Sequence, residues 1–171
     1  ILDVNAKGKV IDYRLIHTGQ HYDKNMSGSF FEELEIPPPN NNLQCGGGSQ
    51  AEQTANIMIA FEKELLAYPA DIVLVVGDVT STMACAIVAQ KLHTKVAHVE
   101  AGIRSGDWTM PEEINRLVTD SITNYFFTTS RTENEHLKFS GIDDDKIYFV
   151  GNTMIDTFLK QQPNFIKPKL W

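Results

Sequence analysis

The stretch Ile72-Val73-Leu74-Val75-Val76-Gly77-Asp78 is a short apolar run, rich in β-branched residues and closed by a glycine and an acid. A helical pattern over 80–92 follows, and then Lys95-Val96-Ala97-His98-Val99-Glu100-Ala101-Gly102, which is built in the same way. An unalternating apolar run of this length is the pattern of a strand buried on both faces. Two such strands joined by a helix form a crossover unit, and a crossover returns the chain to the same end of the sheet, so the strands run parallel.

The same alternation extends in both directions. Apolar runs at 13–17, 125–129 and 146–150 read as further strands. Between the first two strands, Ala51, Ala55, Met58, Phe61 and Leu65 recur at helical spacing over 49–68, with Ser49 and Glu52 as a capping box and Pro69 as the stop. A helix over 111–123 starts on Pro111, a residue suited to the first helical position. Ser130 and Glu133 read as a second capping box, opening a helix that Gly141 closes. Three prolines, three asparagines and three glycines make 36–48 a loop. The fold class is α/β, a Rossmann-like doubly wound parallel sheet with helices on both faces. Residues 1–160 form one lobe, and 161–171 read as a tail, either a disordered end or a lead into a further domain.

Composition bounds the function. The chain has 171 residues, 42% of them hydrophobic, and a net charge of -7, which opposes binding to a nucleic acid backbone. The run at 72–76 is far shorter than the ~20 residues of a membrane-spanning helix. Two cysteines, Cys45 and Cys85, form neither a disulfide framework nor a zinc spacing, and Cys85 reads as core filler. A cytoplasmic, reducing setting follows. The chain opens at Ile1, and a first strand is expected to be missing before it.

Ligands of open α/β sheets bind beyond the carboxyl ends of the strands. Those ends carry Thr18-Gly19-Gln20-His21-Tyr22-Asp23, Gly77-Asp78, Glu100 to Asp107, and Gly151-Asn152-Thr153. Asp78 and Glu100 each leave a buried strand directly, where a carboxylate loses solvation and its proton affinity becomes tunable. Glu112 and Glu113 open a helix, where acids also simply complement the helix dipole. Arg104 either binds a phosphate or pairs with a nearby acid. His17, His21 and Glu100 leave room for a metal hydrolase reading, but no ligand spacing supports it, and His17 and His98 read as core histidines. Gly46-Gly47-Gly48 before a helix offers amides to an anion. Neither a dinucleotide fingerprint nor a nucleoside triphosphate loop occurs, so a nicotinamide dinucleotide is disfavoured.

Taken in order, His17-Thr18-Gly19-Gln20-His21-Tyr22-Asp23, Val76-Gly77-Asp78, His98-Val99-Glu100-Ala101-Gly102-Ile103-Arg104-Ser105, Met110-Pro111-Glu112-Glu113-Ile114-Asn115-Arg116 and Val150-Gly151-Asn152-Thr153 resemble the non-hydrolysing bacterial UDP-N-acetylglucosamine 2-epimerases. The resemblance implies a GT-B-like pair of Rossmann-like lobes, of which this chain is most of the first, in a full-length homodimer. It implies interconversion of UDP-GlcNAc and UDP-ManNAc through elimination and re-addition of UDP, with no metal and no cofactor. Asp78, Glu100 and Glu112 match the family's acidic catalytic positions. Gln20, His21, Arg104, Ser105 and Arg116 are the expected substrate contacts. The family's opening Gly-Thr-Arg-Pro-Glu motif and its second lobe, with a catalytic His and an Arg–Glu pair, are not in this chain, so the chain alone is expected to be inactive. Those relatives whose Gln-His pair serves a regulatory nucleotide-sugar site carry an arginine segment where this chain has Gly46-Gly47-Gly48. A hydrolysing epimerase that releases free N-acetylmannosamine, and a non-catalytic nucleotide-sugar-binding lobe, are the alternatives.

Overall fold

The computed structural model describes residues 5–8, 10–19 and 36–165. Its elements in chain order are β1 (Ile16–His17), β2 (Asn41–Asn42), α1 (Gln50–Ala67), β3 (Ile72–Val76), α2 (Thr80–Lys91), β4 (Lys95–Val99), α3 (Pro111–Ser121), β5 (Tyr125–Thr128), α4 (Arg131–Phe139), β6 (Ile147–Phe149) and α5 (Thr153–Gln161). Strands β3 to β6 form a parallel sheet in sequence order. The central strands and helices fall where the residue pattern places them, and the strand expected over 13–17 is shortened to its last two residues.

Paired residues of a parallel ladder point to the same face. Val75, His98, Phe126 and Ile147 are paired in turn across the sheet and share one. On it, Val75 and Val96 pack with Ile57, Phe61 and Leu65 of α1 and with Ala84, Cys85, Val88 and Ala89 of α2. Farther along, Phe126 packs with Leu137 of α4 and with Ile147. Crossovers between successive neighbours turn with the same right hand, which carries their helices over one face. On the opposite face of β3, Ile72, Leu74 and Val76 are 44%, 53% and 51% exposed, where the apolar run predicts burial on both sides. The covering elements among the described residues lie on the other face.

Strand β2 falls inside the segment read as a loop. Asparagine is a poor strand former, and tertiary partners hold it in place. Leu15 and Asn40 exchange backbone hydrogen bonds in one direction and a backbone-to-side-chain bond in the other, and Leu43 N–H donates to the His17 carbonyl. Glu64 of α1 then ties down β2 and the segment leading into β1, accepting from Arg14 at 2.7 Å and from Asn41 Nδ2 at 2.7 Å. Helix α5 was not anticipated, although Met154, Ile155, Phe158 and Leu159 follow helical spacing and Asn152 caps Met154 N–H.

The capping box at Ser49 and Glu52 is formed in both directions. The one expected at Ser130 is not. Ser130 Oγ accepts from Thr132 N–H, while Glu133 turns inward and its Oε2 is buried without a hydrogen-bond partner. Glu133 instead stands beside the turn at Gly102, as described below. Cys85 lies in the core, where burial pushes its thiol up to about 12, in keeping with a packing role.

Candidate active site

The loops after β3 and β4 and the first turns of α3 meet at the carboxyl rim of the sheet. Asp78 leaves β3 through Gly77, and its side chain keeps 33% of its exposure. Its Oδ2 accepts from Arg116 Nε at 3.0 Å and also from Arg116 Nη2, and its backbone carbonyl accepts from Asn115 Nδ2 at 2.8 Å. Helix α3 therefore grips the loop after β3 through consecutive residues.

Glu100 sits at the end of β4 with φ +70°. A left-handed backbone is unfavourable for a side-chain-bearing residue and collects at functional sites. It is enforced here by the neighbouring strand, because Glu100 N–H and Ala101 N–H both donate to the Phe127 carbonyl. The turn aims the carboxylate back across the rim. A Cβ placed on Gly77 would lie 3.7 Å from Glu100 Oε2, an ordinary contact distance, so the Glu100 carboxylate stands beside the turn that leads to Asp78. Glu100 and Glu112 are both half-buried, and neither carboxylate has a hydrogen-bond partner among the described residues. Glu112 stands one helical turn before Arg116, and so lies on the face of α3 that reaches Asp78.

Glu113, beside it, does a different job. It is 2% exposed and accepts from Ser105 N–H at 2.9 Å, Ser105 Oγ at 3.1 Å, Gly106 N–H at 3.1 Å and Arg116 Nη1 at 2.9 Å. Burial alone would raise its pKa, but these donors outweigh burial and hold it down to about 2. Arg116 thus bridges Asp78 and Glu113. Arg104, left open between phosphate and acid, pairs with an acid: its Nη1 lies 2.6 Å from Asp120 Oδ2. Ser105 is turned toward Glu113. Gln20 and His21 lie outside the described residues, which among themselves hold no group of three or more His, Cys, Asp or Glu placed for a metal ion.

From the sequence Asn115 and Asp120 have no assigned role, and Glu113 only that of complementing the helix dipole. The available signal was the pattern of α3, which buries Glu113, Asn115, Thr119 and Asp120 while leaving Ile114 44% exposed. A helix that turns its polar side inward is holding something there.

The turn after Glu100 is closed by Gly102, at φ +81°. A Cβ there would stand 2.7 Å from the Glu133 carbonyl oxygen, 2.9 Å from Glu133 Cβ and 3.0 Å from Leu137 Cγ. Backbone of α4 cannot yield cheaply, so Gly102→Ala is expected to cost about 2 kcal/mol or more, read by chemical denaturation. A loss below a few tenths would show that the approach of α4 to this turn is not rigid.

The family model described as UDP-N-acetylglucosamine 2-epimerase matches residues 4–170. The chain belongs to the UDP-N-acetylglucosamine 2-epimerase family. It is 49% identical over 150 residues to the UDP-N-acetylglucosamine 2-epimerase of Methanocaldococcus jannaschii, covering 88% of this chain and 41% of that protein. A UDP-2,3-diacetamido-2,3-dideoxy-D-glucuronate 2-epimerase of Pseudomonas aeruginosa is 43% identical over 147 residues, covering 85% of this chain and 42% of its own length. The crystal structure of the M. jannaschii UDP-GlcNAc 2-epimerase in complex with UDP-GlcNAc and UDP superposes with a TM-score of 0.89 at 46% identity, over 94% of this chain and 45% of that one. The chain spans about two-fifths of the length of the curated relatives it matches.

Proposed function

We propose that this chain is the first lobe of a two-lobed epimerase that inverts C2 of UDP-N-acetylglucosamine, interconverting it with UDP-N-acetylmannosamine. The observation that carries this reading is the convergence of Asp78, Glu100 and Glu112 on one rim, Asp78 held by Arg116 and the two glutamates without partners among the described residues. Inversion at C2 requires a proton to leave one face of the sugar and return on the other, so proton-carrying groups must flank the ring. In the forward half, a carboxylate takes the C2 proton, the C1–O bond breaks, and UDP departs with the bonding electrons to leave a 2-acetamidoglucal. In the return half, UDP adds to C1 and the other face of C2 is protonated.

Glu100 and Glu112 are the proposed proton carriers. Asp78, fixed against Arg116, supplies negative charge where C1 becomes electron-poor as its bond to UDP breaks. Gln20, His21, Arg104, Ser105 and Arg116 are the proposed contacts to the nucleotide sugar, with Arg104 and Arg116 oriented by their carboxylates. Cleft closure by a second lobe and assembly as a homodimer in the cytoplasm complete the proposal. Among the described residues no helix is long and apolar enough to cross a membrane.

Incubating the intact parent protein with UDP-GlcNAc in deuterated water is expected to place deuterium at C2 of recovered substrate and of its epimer. Recovery of undeuterated sugar nucleotide would sink the reading. Release of free N-acetylmannosamine would replace it with the hydrolysing one. The P. aeruginosa relative gives a second reading of the substrate, a UDP-linked 2,3-diacetamido uronate, since its identity to this chain is close to that of the UDP-GlcNAc enzymes. Comparing kcat/KM for the two sugars separates them.

A further inference from the structure

Glu113 and Asn115, on the inward polar side of α3, are accounted for by the loops they hold. Asp120 serves another group, His98 of β4. The ring is fully buried, with Nδ1 2.7 Å from Asp120 Oδ1 and Nε2 2.8 Å from the Gly77 carbonyl oxygen. A carbonyl oxygen only accepts, and so does an ionised carboxylate. A neutral imidazole with a single N–H could satisfy one of these contacts and would leave two acceptors face to face at the other. The geometry therefore requires a proton in each contact. Asp120 Oδ2 continues the chain, accepting from Gly102 N–H at 3.1 Å and Arg104 Nη1 at 2.6 Å.

One side of this chain ends on Gly77, the residue before Asp78, and the other on the turn that follows Glu100. The strand ends do not need it to form, because Gly77 N–H already donates to Val99 and Glu100 N–H to Phe127. An apolar side chain would fill the same volume without the cost of burying a hydrogen-bonded ionisable pair. We propose that His98 and Asp120 are positioning residues, a clamp that fixes the spacing between Asp78 and Glu100 through a hydrogen bond at each ring nitrogen. This rests on the function proposed above, since the spacing matters because those carboxylates act on one sugar.

The test uses the intact parent protein with His98→Asn, Asp120→Ala and Asp120→Asn. His98→Asn keeps an amide near Asp120 and releases Gly77. Asp120→Ala strips the ring, Gly102 and Arg104 of their partner. Asp120→Asn can donate to Nδ1 and still accept from Gly102 and Arg104. His98→Asn is expected to lose ten- to a hundredfold in kcat, with KM within about threefold, because misplacement of about an ångström costs that much, and Asp120→Ala to lose at least as much in kcat with a rise in KM from the released Arg104. Asp120→Asn is expected to recover most of the rate, which a purely structural role tracked by melting temperature would not produce.

Ring nitrogen correlation spectra of wild type are expected to show a proton on each nitrogen of His98, and on Nε2 alone in Asp120→Asn. Wild-type kcat in folded Asp120→Ala would overturn the clamp, as would a ring bearing one proton in wild type. Where the substitutions prevent folding, the wild-type ring spectrum decides. A wild-type protein that does not epimerise, yet shows both ring protons, would remove the functional reading and leave the clamp as geometry.

Discussion

Glu100→Gln in the intact parent protein is expected to lower kcat about a thousandfold while leaving the melting temperature within a few degrees, in the range by which a positioned acid or base accelerates proton transfer. The substitution keeps the shape of the side chain and removes its capacity to carry a proton, the role proposed for it at C2. Stability is little affected because the Glu100 carboxylate has no partner among the described residues, and the backbone bonds that enforce its φ of +70° come from its N–H, which glutamine retains. An effect of less than tenfold, measured by C2 deuterium exchange under saturating substrate, would reassign the proton carrier. Glu112→Gln then becomes the informative comparison, since it stands on the same rim with an equally unpartnered carboxylate.

Glu113→Ala is expected to produce the largest loss of stability, about 3–5 kcal/mol, the cost of stripping one member from a buried charge pair. It would leave Arg116 half-paired and free the amides of Ser105 and Gly106, three of the donors that now converge on one carboxylate. The same group makes stability depend on pH. Its pKa is held down to about 2 in the folded chain, against an ordinary value of 4.5. Above pH 4.5 folded and unfolded chains both keep it ionised, and its contribution, about 3 kcal/mol, is fully present. As pH falls below 4.5 the unfolded chain takes up the proton first, and the contribution disappears as pH approaches 2. Denaturation midpoints followed from pH 6 to 3 should therefore fall less steeply in Glu113→Gln than in wild type. Parallel slopes would show that other carboxylates carry the acid sensitivity.

The neighbouring glutamates of α3 show where sequence reading reaches its limit. Pro111-Glu112-Glu113 places two acids in one helical turn, and the dipole argument applies to both equally. The tertiary structure separates them by direction. One turns under the loop at Ser105 and is saturated with donors, while the other faces the rim without a partner among the described residues. Arg104 is a similar case. A guanidinium four residues after Glu100 suits a phosphate or an acid alike, and Asp120, from the far end of α3, meets it. That contact depends on how α3 packs against the end of β4, which no local window contains.

The sequence by itself determined the alternation of β3, α2, β4, α3, β5, α4 and β6, their parallel order, and the residues delivered to the carboxyl rim, because hydrophobic period and capping act over a few residues. It also carried the motifs by which the family is recognised. The tertiary structure alone decided which polar residues are saturated with partners and which carboxylates stand without one among the described residues. Apart from Arg116 on Glu113's own helix, the side-chain hydrogen-bonding partners of His98, Asp120, Glu113 and Glu64 lie on other elements or loops, and an asparagine pair became strand β2 for the same reason. Burial of a polar group is tolerated only where distant donors and acceptors meet it, so its meaning is set by folding and not by its neighbours in the chain.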